Sequence, residues 1–206
     1  MSTPPSDRDL VRLHWPVHLR PAFDALLAID DAFAEAALTA SQPALGAIKL
    51  AWWREVLEKL DANPAPAEPR LQAAARELLP RGVSGQRLAG LEDGWLTLVD
   101  GTNDGGAVEE RGRRLFAMAG DLLGLSDAAL EQAGACWGRA DLARRLGEAH
   151  WLGPAPTAGK VPRGLRPLTI LAALAARDSR RGWPPELEAT PQRSWTILRH
   201  RLTGRL

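Results

Sequence analysis

The sequence predicts an all-α protein, and three observations carry that expectation. Apolar residues recur at helical spacing through nearly every segment, no stretch sustains the alternation of a half-buried strand, and most prolines and glycines fall between the periodic runs. At 206 residues, with 45% hydrophobic and 25% charged side chains, the chain can bury one core without disulfides or metal staples. That composition excludes a disordered, collagenous or disulfide-framework protein. A single domain over residues 1–206 is expected.

Each helix has a local reason. Ser6 can cap a first helix whose opening turn holds Asp7 and Asp9 and which must stop before Pro16. Pro21 suits the first turn of a second helix, along which Phe23, Leu26, Leu27, Phe33, Ala34, Ala37 and Leu38 form one stripe to about Ala40. Pro43, after Ser41, opens a third. Its Leu45, Ile48, Trp52 and Val56, with Leu50, Trp53, Leu57 and Leu60, are apolar around most of the circumference, so Ile48, Trp52 and Trp53 are expected in the core. Pro64, Pro66 and Pro69 make a short stiff loop. Helices are then expected over 70–79, 84–99, 107–123 and 126–150, the last capped by Ser126, with a glycine-rich link at 101–106. An irregular crossing at 151–167 precedes closing helices at 168–177 and 191–201.

Twenty-six basic against 25 acidic residues give a net charge of +1, so no global field draws the chain to nucleic acid or to an anionic membrane, although local patches remain open. Cys136 stands alone, which rules out an internal disulfide and a thiolate zinc cluster within one chain and fits a reducing compartment. The opening Met1–Ser6 has neither the basic nor the apolar region of a secretory signal, and no stretch approaches the ~20 apolar residues of a membrane span. A cytoplasmic protein without a nucleic-acid partner is expected, with peripheral contact at the inner membrane left open.

Chemistry could sit in two places. Asp30 interrupts the apolar stripe of the second helix, so its carboxylate must be paired or hydrogen-bonded, with Arg54 and Arg144 as candidate partners. Beside it Asp31 and Glu35 stand at i and i+4, a spacing from which a helix can hold a divalent cation or simply present a solvated acidic face. The second place is the run Arg139, Asp141, Arg144, Arg145 and Glu148, which reads either as exposed i, i+4 ion pairs or as part of a site. Arg111, Arg113 and Arg114, near Glu109 and Glu110, read as a solvated helix start. His14, His18, His150 and His200 lack zinc-site spacing. The sequence has no G-x-S-x-G elbow, no nucleotide-cradling glycine pattern and no motif-borne histidine partner for Cys136, so standard hydrolase and nucleotide-binding readings fail.

The run Arg20-Pro-Ala-Phe-Asp-Ala-Leu-Leu-Ala-Ile29, followed by Pro43-Ala-Leu-Gly-Ala-Ile-Lys-Leu-Ala-Trp-Trp-Arg-Glu55, resembles the squalene/phytoene synthase family. The likeness is to its bacterial and mitochondrial branch, with the helix pattern G-x-x-R-x-x-W-W-R, and Trp52-Trp53-Arg54 carries it most specifically. A looser likeness continues through Leu91–Trp95, Arg114–Gly120 and the helix at Gly134. The resemblance implies an isoprenoid-synthase-like helical bundle around a central cavity, here somewhat truncated.

Active members of that family hold magnesium on two aspartate-rich helices, where the ions grip the diphosphate of a prenyl donor as it ionises. In this chain the first motif would fall on Ala34 and Leu38. The second aligns with Asp141–Ala149, keeping Arg144 and Glu148 but placing Arg145 and Ala149 where the family has aspartates. A cation at a ligand position opposes magnesium. The resemblance therefore points to the degenerate branch that includes a mitochondrial complex I assembly factor. It implies a noncatalytic protein, with no cofactor, binding an apolar isoprenoid-type ligand or a protein partner in respiratory-complex assembly. Arg54, Arg139, Arg144 and Arg145 are then the expected ligand-binding residues. The alternative is a divergent prenyltransferase acting on prenyl diphosphates, in which Asp30, Asp31, Glu35, Asp141 and Glu148 form a rebuilt Mg2+ site.

Overall fold

A computed structural model of the chain describes residues 5–157 and 159–206, so Met1–Pro4 of the opening segment lie outside it. Ten α-helices run in order: α1 (Asp7–Leu13), α2 (Arg20–Leu38), α3 (Pro43–Lys59), α4 (Pro69–Glu77), α5 (Gly85–Ala89), α6 (Asp93–Val99), α7 (Gly105–Leu122), α8 (Ala129–Leu146), α9 (Arg166–Arg181) and α10 (Pro191–Thr203). The one β-type pairing among the described residues is an isolated antiparallel bridge between Lys160 and Arg205. The protein is all-α, as the periodicity predicts.

Local chemistry sets the boundaries. Ser6 caps α1 through a reciprocal pair, its hydroxyl accepting from the Asp9 amide while Asp9 accepts from the Ser6 amide at 2.8 Å. The helix expected over 84–99 is instead α5 and α6 joined by a 3-10 turn at Gly90–Glu92, where the Gly90 carbonyl accepts from Arg114. The helix expected from Ser126 begins at Ala129, because Asp127 Oδ1 accepts from the Ala129 amide at 2.8 Å. It ends at Leu146, before His150, because Gly147 turns left-handed at φ 72°.

The α7–α8 crossing brings two backbones together at Gly112, Gly134 and Gly138. A Cβ at Gly112 would lie 2.0 Å from the Gly134 carbonyl oxygen, and one at Gly138 would lie 2.7 Å from the Val108 carbonyl oxygen. On this pair rests α9, buried continuously from Arg166 to Ala176, with α10 and α1 packed on it as well. On the other side α2 contacts α3, α4, α6 and α7.

The third helix departs from expectation. Gly46, Leu50 and Leu57 are buried and Trp53 is half-buried, but Ile48 is 65% exposed and Trp52 46% exposed. The helix carries two apolar stripes, and α2, α5 and α6 cover only one of them. The stripe of Leu45, Ile48 and Trp52 has no element of the described chain over it. Ile48 and Trp52 are therefore surface residues, not core.

Candidate functional site

The first candidate site forms where α1, α2, α7 and α8 converge. Asp30, fully buried on α2, is met by Arg111 of α7, itself 1% exposed, at 3.0 Å to Oδ1 and 2.9 Å to Oδ2. Trp95 of α6 donates its indole N–H to Asp30 Oδ1 at 3.0 Å. The Arg111 guanidinium lies 4.2 Å over the Trp95 ring and also donates to the Gly138 carbonyl and, at 3.0 Å, to Asp141 Oδ2 on α8. Gly94 makes room for it, since a Cβ there would come within 2.5 Å of the Arg111 Cβ.

Two more arginines close the cluster. Arg145 donates through Nε to Asp141 Oδ2 at 2.9 Å and through its terminal nitrogen to Asp31 Oδ1 at 2.6 Å. Arg8 of α1 donates to both Asp31 oxygens at 2.8 Å and to Asp141 Oδ1 at 3.3 Å. Three aspartates and three arginines thus balance in charge, and all six carboxylate oxygens accept a hydrogen bond from a guanidinium. Burial alone would raise the Asp141 carboxyl, but Arg145, Arg111 and Arg8 hold it well below the usual carboxylate range. Burial works against the charged form of Arg145 too, and Asp141, Asp30 and Asp31 more than offset it, so its pKa is raised.

The expected neighbours of Asp30 were Arg54 and Arg144, and Arg111 takes their place. Arg111 is not part of a solvated helix start. It belongs to the buried stripe Val108, Arg111, Leu115, Phe116 of α7, an interruption of the same kind as Asp30 in α2. Arg54 lies on the surface, paired with exposed Glu58, half-buried Asp93 and buried Glu92. Arg139 holds the Trp151 carbonyl at 3.0 Å. Arg144 holds Asp178 of α9 at 2.8 and 2.9 Å, and Asp178 also takes Arg193 of α10, which in turn grips Asp7 of α1 at 2.6 Å. This second buried network was invisible in the sequence because its members lie far apart along the chain. Arg139, Arg144 and Arg145 thus engage different partners and do not converge on one anion.

Of the five acidic candidates, Asp30, Asp31 and Asp141 come together. Glu35 turns to the other side of α2 and pairs with Arg70 at 2.7 Å, and Glu148, beyond the end of α8, accepts from the Trp151 indole at 3.2 Å. A divalent cation at Asp30, Asp31 and Asp141 would have to displace guanidinium groups from the oxygens it needs, so the donor set as built suits arginine and does not fit magnesium. Among the described residues no three His, Cys, Asp or Glu side chains are arranged to hold a metal. Beside the cluster lies a small, partly open pocket of about 50 Å³, lined in part by Asp141, Arg144 and Trp137.

Space for a ligand lies elsewhere, in a surface groove of about 530 Å³ between α2, α3 and α4. Ala32, Ala36, Ile48, Trp52 and Trp53 supply its apolar lining, and Lys49, Arg70, Glu35 and Glu68 its charges, Arg70 being paired with Glu35. Trp52 and Trp53 meet edge to face at 5.2 Å, and Trp53 in turn meets Phe33 of the core at 6.5 Å. No protein family, curated protein or solved structure matches the chain.

Proposed function

We propose that this chain is a noncatalytic binding protein of squalene/phytoene-synthase-like type, taking an apolar isoprenoid-type ligand in the α2–α3–α4 groove. The observation that carries the reading is the engagement of all six oxygens of Asp30, Asp31 and Asp141 by arginine. Metal-assisted ionisation of a diphosphate needs carboxylates free to hold cations where charge develops, and these are committed to holding α1, α2, α7 and α8 together. The groove has the volume usual for small-molecule sites, about 300–1,000 Å³, and an indole surface suited to an unsaturated hydrocarbon. Lys49 forms no ion pair among the described residues, but Glu35 and Glu68 also line the groove, so its polar lining carries both signs of charge and the apolar walls carry the ligand assignment.

The test is incubation of the purified chain with labelled farnesyl or geranylgeranyl diphosphate and magnesium, with tryptophan emission followed in parallel. Binding without diphosphate release is expected, and Trp52→Ala should weaken binding at least about tenfold, equivalent to about 1.4 kcal/mol. Because Trp52 is 46% exposed, its loss should change stability far less than the about 3–5 kcal/mol of a buried aromatic. Release that disappears in Asp31→Asn or Glu148→Gln would overturn the noncatalytic reading in favour of a rebuilt metal site. Absence of both binding and turnover would overturn the ligand assignment and leave the exposed α3 stripe to a protein partner.

A further inference from the structure

We propose that α10 and the adjoining end of α1 form a docking surface for an anionic lipid bilayer. This does not rest on what fills the α3 groove. Arg193, Thr196, Ile197 and His200 turn one face of α10 inward, while Trp195, Leu198 and Leu202 on the other are 64%, 46% and 70% exposed. Spaced three and four residues apart, these three fall within about 60° of arc on a helix. Arg199 lies on one flank of that stripe and Arg201 on the other, with Arg205 just beyond the helix end.

The charge around the stripe is one-sided. Residues 189–206 contain four arginines and no aspartate or glutamate. Arg193 is committed to Asp7 and Asp178, whereas Arg199, Arg201 and Arg205, and Arg163 just before α9, make no ion pair among the described residues. In a chain whose net charge is only +1, that is a local excess of cations. Its crowding is felt within it: burial, then Arg166 and Arg163, lower the pKa of Arg201, and burial, then Arg201, lower that of His14. α1, which ends at Leu13, packs against α10, and Leu13 and Val17 near that end are 61% and 73% exposed.

An apolar stripe headed by an indole and flanked by arginines matches the layering of a lipid interface, where side chains enter the acyl boundary and cations meet the headgroup phosphates. Nucleic acid would meet the arginines but leave the protruding Trp195, Leu198 and Leu202 in water. The attachment is in plane, because no helix among the described residues is long and apolar enough to cross a membrane.

Co-sedimentation of the full chain with vesicles of phosphatidylserine and phosphatidylcholine in equal parts, against phosphatidylcholine alone, tests this. Binding should favour the anionic vesicles and weaken as salt is added. Arg199→Gln and Arg205→Gln should each weaken it about fivefold, and Trp195→Ser should remove quenching of tryptophan emission by brominated lipid. These side chains are exposed, so thermal unfolding of the variants should match the parent protein. Absence of co-sedimentation, equal binding to both vesicles, or full binding by a Trp195→Ser, Leu202→Ser variant would overturn the proposal, as would binding to single-stranded RNA or to an acidic protein without binding to vesicles.

Discussion

Replacing Arg111 with methionine keeps an unbranched stem in the core and deletes the guanidinium. Asp30, fully buried, would then keep only the Trp95 indole donor at 3.0 Å, and Asp141 would lose one of its three cations. Removing one partner of a buried ion pair leaves an uncompensated charge, which costs about 3–5 kcal/mol. For a chain of this length about 2–4 °C of midpoint accompanies each kcal/mol, so thermal unfolding should fall by about 6–20 °C. Adding Asp30→Asn to the same chain removes the stranded charge while its amide oxygen can still accept from Trp95. The double variant should therefore recover about 0.5–3 kcal/mol relative to Arg111→Met alone. Urea unfolding followed by tryptophan emission reads both numbers, provided the denaturant slope is unchanged. A loss below about 1 kcal/mol for Arg111→Met, or a double variant no more stable than the single one, would refute the claim that this ion pair holds the helices together.

Gly112→Ala should force α7 and α8 apart at their closest approach and lower stability by about 1–3 kcal/mol or more, and an unchanged thermal midpoint would contradict the backbone contact. The pKa of His200 is lowered by burial and then by nearby arginines, against the raising effect of the Arg205 carbonyl 2.9 Å from Nδ1, while Nε2 lies 2.8 Å from the Thr169 hydroxyl. The unfolded chain then binds the extra proton first. The associated stability is full above about pH 6.5 and is lost as pH falls through the lowered folded pKa. His200→Gln should flatten the decline of stability between about pH 7 and 5 measured by urea titration. Asp141 behaves likewise at lower pH: its contribution is present above about pH 4 and is lost as pH falls through its depressed pKa, so Asp141→Asn should be less stable at neutral pH and converge on the parent protein in acid.

Proline and glycine punctuation made most of the helices legible, because capping and chain breaking act within a few residues. Asp30 is legible as a buried polar position by its place on an apolar stripe, and Asp31 and Asp141 are candidates on residue type and spacing, although sequence does not show that they meet. The i, i+4 rule misled for Glu35, because two side chains one turn apart can straddle the line where neighbouring helices meet: Asp31 turns to α8 and Glu35 to α4. Arg111 carried the same signal as Asp30, a charge on a buried stripe, but adjacent Arg113 and Arg114 hid it in a run of arginines. The exposure of Trp52 and Trp195 could not be read from the sequence at all. Amphipathicity is a property of one helix, whereas coverage depends on how many neighbours the fold supplies.

The most direct test of the arginine-filled centre is manganese titration followed by electron paramagnetic resonance of the free ion, with manganese standing in for magnesium. With all carboxylate oxygens of Asp30, Asp31 and Asp141 taken by Arg8, Arg111 and Arg145, the free-ion signal should be no smaller with the protein than without it. Stoichiometric loss of that signal in the parent protein, restored by Asp141→Asn, would contradict it.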